Sequence, residues 1–352
     1  MHPSSESIPS EQSRQDEHYM RLALCLARLG LGRTSPNPAV GAVIVSNGNL
    51  LSTGWHKKAG WPHAEAEALG ALPPGQSVEG ATLYVTLEPC STHGRTPPCT
   101  EAILAAKLAR VVIGSIDPNP RHQGKGIEIL RHAGIEVTTA ILEQDCRRLN
   151  VGFNKWITSG RPWVIAKFAQ SLDGRITRPP GESQWLTNNR STRLTHRLRS
   201  TVDAILVGAE TVRRDNPRLT IRPPKGRSQP WRIILTQSGN LPQDANVFCD
   251  EFRDRTLVYQ NVDWTWLLNE LGSKGITRLL VEGGSSILGQ LADLNLIDEI
   301  WCFIAPLLSG GDKPSISGTG VSSIELATRW DRIRYKRIGD DVLVVAIRNS
   351  EV

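Results

Sequence analysis

The sequence has few of the features that would indicate a membrane protein, a secreted protein or a nucleic-acid binder. It contains no run of eighteen or more apolar residues, and its N-terminus carries neither an apolar signal core nor an Arg-rich leader. We therefore expect a cytoplasmic location and no membrane partner. Aromatic residues make up only 5% of the chain and no five Lys or Arg residues are consecutive. Stacking platforms and a basic stripe for RNA are therefore not evident.

Cysteine is also sparse. Six cysteines in 352 residues do not make a dense disulfide framework, and a reducing compartment favours packing or metal-binding roles for them. We expect four of them to be inert thiols, namely Cys25, Cys146, Cys249 and Cys302. The chain also lacks a Gly-x-Gly-x-x-Gly motif, so a Rossmann dinucleotide site is not supported. The net charge of +6 is mild and suits a phosphorylated small molecule as well as RNA.

The length exceeds what one hydrophobic core usually fills, which predicts two globular domains. Residues 1–12 are polar and rich in Ser, Pro and Glu, which is typical of a flexible tail. The breaker cluster Thr158-Ser-Gly-Arg-Pro162 predicts a boundary. We therefore assign residues 13–158 to a first domain and 159–352 to a second.

Hydrophobic periodicity predicts an α/β fold for both domains. In the first domain it predicts helices at 19–29, from 63, from 99, from 126 and over 143–160, and strands at 39–45, 50–55, 82–87, 111–115 and 135–139. In the second it predicts helices at 189–202, 263–272 and 285–294, and strands at 163–169, 204–208, 231–236, 256–259, 278–281, 299–305 and 341–348. The alternation in the first domain indicates helices on both faces of its sheet.

A metal-binding pattern lies in the first domain, in which His63-Ala-Glu65 is followed by Pro89-Cys90 and by Cys99. One imidazole and two thiolates suit tetrahedral Zn²⁺ and leave the fourth position for water, as in catalytic sites. Zinc lowers the pKa of its water toward neutrality, and Glu65 is the candidate proton shuttle between that water and a leaving amine. This is the pattern of zinc deaminases.

Two other interpretations of these residues remain open. Their order could be accidental, although ligand spacing of this kind is uncommon by chance. Alternatively, His93 could be a fourth ligand and close the site around a structural zinc, which would leave Glu65 without a role.

The first domain resembles the pyrimidine deaminases of riboflavin biosynthesis. The resemblance is carried by Pro36-Asn-Pro38, by Thr86-Leu-Glu-Pro-Cys90 with eight residues before Cys99, and by Asp117-Pro-Asn-Pro120. It implies a cytidine-deaminase-like three-layer α/β/α fold. It also implies a substrate pocket lined by Asn37, His56, Arg95, Asp117 and Asn119. The chain departs from the family at Thr92, where members often carry His.

The second domain contains three motif clusters, at 163–187, 204–222 and 278–290, each associated with a predicted strand. In the last of them Gly283-Gly284 precedes Ser285 and Ser286 at a helix start. Free backbone amides and the helix dipole would make this turn a phosphate cradle. An ordinary tight strand–helix turn is the alternative.

Together the three clusters resemble the reductase domain that accompanies the deaminase in bifunctional riboflavin enzymes. That domain is similar to dihydrofolate reductase and uses NADPH. The resemblance implies that NADPH is held by Ala169, Trp185, Thr211, Asp215, Gly284, Ser285, Ser286, Ile287, Leu288, Gly289 and Gln290. It implies that substrate is held by Ser183, Arg199, Leu219, Arg222 and Glu282. Two guanidinium groups suit a substrate phosphate.

The proton source for the reduction is a hypothesis of a different kind, because no motif assigns it. Lys167 with Glu282 is our candidate relay. A structural ion pair is the alternative role for Lys167. The ribose-side contact is open as well, because Gln237 replaces a residue that is often a small hydroxyl in the family.

The whole pattern predicts a bifunctional enzyme with one Zn²⁺ in each deaminase domain. The first domain would deaminate 2,5-diamino-6-(5-phosphoribosylamino)pyrimidin-4(3H)-one, and the second would reduce the ribosyl group to ribityl with NADPH. We expect a homo-oligomer with no nucleic-acid partner. The alternative is a tRNA- or nucleoside-type deaminase with a C-terminal RNA-binding module. A catalytically inactive binding protein is disfavoured by the intact set of His63, Glu65, Cys90 and Cys99.

Overall fold

The computed structural model describes residues 10–93, 97–176, 186–222 and 228–348. The chain divides into two compact units between Ser159 and Gly160, and each unit has its own sheet and apolar core. No helix in the described ranges is both long and apolar enough to cross a membrane.

The first unit has a mixed sheet. Its helices are α1 Glu11–Ala27, α2 Ala64–Gly70, α3 Cys99–Ala105, α4 Lys125–His132, α5 Glu143–Leu149 and α6 Val151–Ser159. Its strands are β1 Gly41–Ser46, β2 Asn49–Trp55, β3 Thr82–Leu87, β4 Arg110–Ser115 and β5 Glu136–Thr138. The strand order is β2-β1-β3-β4-β5. β1 runs antiparallel to both of its neighbours, whereas β3, β4 and β5 are parallel.

Both faces of this sheet are covered by helices. Ala42 and Ile44 of β1 point to the cluster that contains α2, α3 and α4 residues, whereas Val43 and Val45 point to the cluster that contains α1 residues and Cys146 of α5. This alternation is the period-2 pattern of a strand buried on both sides. The first unit is therefore a three-layer α/β/α sandwich.

The helices of this unit differ from the sequence prediction at two places. α1 begins at Glu11, within the predicted tail, because Ser10 caps it by accepting a hydrogen bond from the Ser13 amide (3.1 Å). The predicted helix over 143–160 is two helices separated at Asn150. The backbone at Asn150 is not helical (φ −111°, ψ 25°). The Asn150 side chain accepts a hydrogen bond from the Ala39 N–H (2.8 Å) and donates one to the Ala39 carbonyl (2.9 Å).

The second unit has a longer sheet. Its helices are α7 Asn189–Arg199, α8 Ala209–Asp215, α9 Asn246–Cys249, α10 Trp264–Ser273 and α11 Ser285–Asp293. Its strands are β6 Trp163–Gln170, β7 Ala204–Gly208, β8 Trp231–Thr236, β9 Thr256–Gln260, β10 Arg278–Val281, β11 Glu299–Ile304, β12 Arg332–Ile338 and β13 Asp341–Ile347. The order is β12-β13-β11-β6-β10-β7-β8-β9. From β11 to β9 neighbouring strands are parallel, and β12 and β13 add an antiparallel edge.

The carboxyl ends of the parallel strands set the position of the cavity in this unit. The main core packs α10 and α11 against β6, β7, β8 and β10. In parallel α/β sheets, ligands bind beyond the carboxyl ends of the strands. Lys167 lies in the second half of β6, Gly208 is the last residue of β7, and Glu282 directly follows β10.

One strand and two α-helices of the described second unit were not predicted. β12 has the sequence RIRYKRI and is an exposed edge strand, so charged residues interrupt its apolar alternation. α8 and α9 are short helices, of seven and four residues, and too brief for a clear periodicity.

Two candidate active sites

The three predicted metal ligands of the first unit meet at one point. The His63 Nδ1 atom lies 3.5 Å from Cys90 Sγ and 3.3 Å from Cys99 Sγ, and the three ligand atoms lie within 4.8 Å of one another. His63 caps the N-terminus of α2 and Cys99 is the first residue of α3. The parallel strand–helix connections therefore bring the three residues together. Two sulfur atoms and one imidazole nitrogen, buried or half-buried, are the donor set that fits Zn²⁺.

The protonation state of Cys90 also fits a cation. Hydrogen bonds from Cys99 and from His63 lower the pKa of Cys90 to about 4, against the opposing effect of burial. One of these hydrogen bonds is from the Cys99 backbone N–H to Cys90 Sγ, at 3.3 Å. Cys90 is therefore held as a thiolate, which is the form that binds a metal.

The alternative of a structural zinc site required His93 as a fourth ligand, but His93 is not part of the cluster of His63, Cys90 and Cys99. The His93 Nε2 atom lies 3.1 Å from Glu101 Oε1, and 73% of its side chain is exposed. The cluster found among the described residues contains His63, Cys90 and Cys99 alone. This arrangement is that of an open, catalytic type of site.

Glu65 lies beside the ligands on the first turn of α2 and is buried. Burial raises its pKa to about 7, and the Cys90 charge adds to the increase. α2 can approach β2 closely because Gly54 has no side chain, since a Cβ there would overlap the Ala64 carbonyl oxygen. A carboxyl group with a pKa near neutrality can take up and release a proton at physiological pH.

The zinc cluster opens into a cavity of about 180 Å³. Of the residues implied by the resemblance, the cavity is lined by Asn37, His56, Asp117 and Asn119, together with His63, Glu65 and Cys90. Arg95 lies outside the described residues. Several lining residues were not predicted from the sequence, and they include Glu88, His122 and Phe153. His122 could have been found, because it follows Asn119 in the same turn, whereas only the fold brings in Phe153 from α6.

Hydrogen bonds fix the polar walls of this cavity. His56 Nδ1 lies 3.0 Å from the Pro62 carbonyl oxygen, and His56 Nε2 lies 3.2 Å from Asn37 Nδ2. Burial lowers the pKa of His56, so the ring is neutral and donates to Pro62 while it accepts from Asn37. Asn37 is thereby oriented by a ring that is itself held by the backbone.

Glu88 fixes the part of the cavity wall that carries Asp117 and Asn119. Its carboxylate accepts hydrogen bonds from the backbone N–H groups of Asp117 (3.2 Å), Gly124 (3.0 Å) and Gly126 (2.9 Å). These contacts tie the end of β3 to the turn between β4 and α4. The turn that carries Asp117 and Asn119 is therefore rigid.

The second unit contains a larger cavity of about 1440 Å³. It is lined by Lys167, the candidate proton donor, and by most of the residues that the resemblance implied, namely Ala169, Arg199, Thr211, Asp215, Leu219, Arg222, Glu282, Gly284, Ser285, Ser286, Ile287 and Leu288. Ser183 and Trp185 lie outside the described residues. His196 also lines this cavity and was not predicted from the sequence. Burial lowers the pKa of His196, and the nearby charges of Arg199 and Arg222 lower it further.

A buried charge cluster forms one wall of this cavity. The Glu282 carboxylate makes two contacts with Arg199, at 2.6 Å from Nε to Oε1 and 2.9 Å from Nη2 to Oε2, and Lys167 Nζ lies 3.9 Å from Glu282 Oε2. Burial opposes ionisation of Glu282, but the two cations outweigh it and lower the pKa to about 2. Arg199 is thus committed to Glu282, and Arg222 is the more exposed guanidinium on the cavity wall.

The residues around α11 fit a phosphorylated cofactor. Gly283 and Gly284 precede the helix, and Gly284 has open space around it. The Ser285 Oγ atom is buried and has no hydrogen-bond partner among the described residues. An unpaired buried hydroxyl at a helix N-terminus is well placed to bind a phosphate or sugar oxygen. These residues therefore fit NADPH.

Two of the implied cofactor residues are not on this cavity. Gly289 packs against the backbone of Ser317, and Gln290 accepts a hydrogen bond from Trp264 Nε1 at 3.0 Å. Gly289 is the middle residue of the nine-residue helix α11 and Gln290 follows it, so their backbone amides are used within the helix. Of residues 284–290, the cavity is thus lined by 284–288.

Comparison with known proteins matches each unit to a family. Residues 13–115 match the family described as the cytidine and deoxycytidylate deaminase zinc-binding region, and residues 162–344 match the family described as the RibD C-terminal domain. The fold and the two cavities thus define a zinc-type deaminase unit followed by a reductase unit. The expected α/β fold class is confirmed. The alternative prediction of an RNA-binding module in the second half is wrong, because that half matches the RibD C-terminal domain.

Relatives that match the whole chain make the assignment specific. The riboflavin biosynthesis protein RibD of Aquifex aeolicus is 40% identical, with 94% of this chain and 97% of the relative covered. That of Escherichia coli is 37% identical over 93% and 98%. The chain therefore belongs to the RibD family and is a bifunctional deaminase and reductase of riboflavin biosynthesis.

Solved structures agree with this assignment. A Thermotoga maritima protein described as a diaminohydroxyphosphoribosylaminopyrimidine deaminase/5-amino-6-(5-phosphoribosylamino)uracil reductase is 35% identical, with a TM-score of 0.88 and coverage of 96% of this chain and 100% of that one. Acinetobacter baumannii RibD is 34% identical, with a TM-score of 0.87 and coverage of 96% and 100%. The expected enzyme class is confirmed, with zinc and NADPH as its cofactors in general terms.

Proposed function

We propose that the first unit deaminates 2,5-diamino-6-(5-phosphoribosylamino)pyrimidin-4(3H)-one and that the second reduces the ribosyl group of the product to ribityl with NADPH. The observation that carries the proposal is the cluster of His63, Cys90 and Cys99 with the buried Glu65 beside it. The cavity at this cluster has polar walls that suit a pyrimidine ring. The Thermotoga maritima relative, whose description names this substrate class, supports the choice.

The deaminase chemistry follows from the positions of the side chains. Zinc held by the three ligands would supply an acidified water for attack on the amine-bearing ring carbon. Glu65, with a pKa of about 7, would hold the proton of that water and pass it to the leaving amine. Asn37, held by the neutral His56, presents its amide oxygen to a ring N–H. Asp117 and Asn119 orient the ring from the opposite wall.

The reductase step uses the charge cluster of the second unit. NADPH bound at the N-terminus of α11 would supply the hydride. Burial lowers the pKa of Lys167, which makes its ammonium group a better proton donor to the opening sugar. Glu282 remains a carboxylate and holds Lys167 toward the cavity. Arg222, which is exposed on the same wall, binds the substrate phosphate.

The proposal also includes the number of zinc ions, the oligomeric state and the cellular location. We expect one Zn²⁺ in each deaminase unit, because the cluster provides one set of three ligands among the described residues. A homo-oligomer without a nucleic-acid partner and a cytoplasmic location remain predictions.

The proposal is tested by replacing Glu65 with Gln, which keeps the volume and removes the proton shuttle. Ammonia release should fall roughly 10²–10⁴-fold. Zinc content and NADPH oxidation with the deaminated intermediate should not change. Glu128→Gln, an exposed position on α4, is the matched control and should leave all three unchanged. Ammonia release within threefold of wild type from Glu65→Gln would contradict the proposal.

A further inference from the structure

His122 lies on the wall of the deaminase cavity and has no role in the chemistry described above. It belongs to the turn between β4 and α4. The His122 backbone N–H donates to the Asn119 carbonyl (2.9 Å), and the His122 carbonyl accepts from the Lys125 amide (2.9 Å). Because Glu88 holds the same turn through Gly124, the backbone at His122 has a fixed position.

The His122 ring joins this turn to the loop that carries the zinc ligands. Its Nδ1 atom lies 3.4 Å from the Thr92 hydroxyl, and Thr92 follows Cys90 by two residues. His122 is half-buried and Thr92 is exposed, so the contact lies where the cavity meets solvent. The contact places the ring at the mouth of the cavity.

His122 differs from His56, the other imidazole of the cavity that is not a candidate metal ligand, in having a ring nitrogen to spare. His63 turns Nδ1 to the two thiols, and both ring nitrogens of His56 are engaged, with Pro62 and Asn37. The Thr92 hydroxyl engages Nδ1 of His122. The Nε2 atom of His122 has no hydrogen-bond partner in the described part of the chain, so it can bind a ligand.

The size of the cavity indicates which part of the substrate reaches this ring. Pockets that enclose whole drug-sized ligands have volumes of about 300–1,000 Å³. The deaminase cavity, at about 180 Å³, is smaller. It can hold a pyrimidine ring over the zinc cluster, and the phosphoribosyl group must then extend through the mouth.

We propose that His122, positioned by Thr92, binds the phosphoribosyl group of the substrate through Nε2 and makes the deaminase selective for the phosphorylated form. This inference rests on the proposed function.

The first test compares His122→Ala with wild type on the phosphorylated substrate and on its dephosphorylated ribosylamino counterpart. KM for the phosphorylated substrate should rise about tenfold, the effect expected from the loss of one charge-assisted hydrogen bond, with kcat within twofold. KM for the dephosphorylated substrate should change less than twofold. His132→Ala, the same replacement at an exposed site on α4, is the matched control. Equal changes in KM for the two substrates, or no change for either, would overturn the inference.

A second test does not require turnover. The zinc-loaded full-length protein is acylated with diethyl pyrocarbonate, and modification is followed at each histidine by mass spectrometry. Ribose 5-phosphate should slow acylation of His122 at least threefold and ribose should not, while His132 reacts equally in both. Equal acylation of His122 with the two sugars would overturn the inference. If wild type releases no ammonia, the proposed function fails, and the acylation result still decides the role of His122.

Discussion

At the scale of single residues, the reductase cavity contains a cluster of three buried or half-buried charged side chains. Glu282 lies between Arg199 and Lys167, and only 9% of its side chain is exposed. Arg199 takes both carboxylate oxygens, whereas Lys167 has the longer contact of 3.9 Å. Lys167 is therefore the member of the cluster that can move toward a substrate without leaving a buried charge unpaired.

The role of Lys167 is tested by Lys167→Met, which keeps the length of the side chain and removes the proton. Because Glu282 keeps its pairing with Arg199, the fold should be retained. NADPH oxidation should fall roughly 10²–10⁴-fold, as expected for loss of a general acid, and ammonia release should not change. Steady-state kinetics of both reactions on one preparation provide the measurement. NADPH oxidation within tenfold of wild type would show that Lys167 is only a member of a structural ion pair.

At the scale of secondary-structure elements, α1 is tied to the sheet by a buried ion pair. Asp16 accepts two hydrogen bonds of 2.8 Å from Arg110 of β4 and one of 3.0 Å from Tyr84 of β3. Burial alone would raise the pKa of Asp16, but the hydrogen bonds, chiefly those from Arg110, outweigh it and lower the pKa. The charged form of Asp16 therefore stabilises the packing of α1.

This contact predicts a pH-dependent stability difference between wild type and Asp16→Asn. A carboxyl group with a lowered folded-state pKa contributes stability above its unfolded pKa, and that contribution is lost as the pH falls through the folded pKa. At pH 7 the variant should be less stable by roughly 2 kcal/mol, because Arg110 loses its buried charged partner and keeps only the exposed Glu136. The difference should shrink below about pH 4. Urea unfolding between pH 3 and 8 measures it, and a constant difference over this range would contradict the account.

The packing of α11 is a second prediction at this scale. Gly289 lies against the Ser317 carbonyl, where a Cβ would overlap the oxygen, whereas nothing lies near a Cβ built on Gly284. Gly289→Ala should therefore lower the free energy of unfolding of the second unit by roughly 1–3 kcal/mol. Gly284→Ala is the control and should not lower it. Thermal unfolding of both variants measures the difference. Equal unfolding temperatures for the two variants would contradict this account of the packing.

The elements that could be predicted from the sequence are those with a strong local pattern. β3 and β7 were predicted to the residue, because each is a short, largely apolar run between turn residues. The start of α1 was not, because its first turns are polar and its buried residue Asp16 finds a partner 94 positions away. β12 was missed for a similar reason, since its neighbour in the sheet determines its structure and its own sequence is charged.

The same distinction applies to the sites. His63, Glu65 and Cys90 could be assigned from the sequence because zinc chemistry restricts the residue types and their spacing. Phe153 and His196 could not, because no local pattern marks them and only the fold brings them to the cavities. The pairing of Arg199 with Glu282, 83 positions apart, is also a product of the fold.

At the scale of the whole molecule, the central claim is that one chain carries two separate catalytic units. Each unit has its own sheet, core and cavity, and the one set of candidate metal ligands found among the described residues belongs to the first. The chemistry of one unit should therefore be removable without loss of the other.

The measurement that tests this claim most directly follows ammonia release and NADPH oxidation separately, with and without a zinc chelator. With the diaminopyrimidine substrate, chelation should abolish ammonia release and the NADPH oxidation that depends on its product. When the deaminated intermediate is supplied instead, NADPH oxidation should persist in the chelated protein and re-added zinc should restore ammonia release. Failure of the chelated protein to oxidise NADPH with the supplied intermediate, or ammonia release unaffected by loss of zinc, would contradict the account.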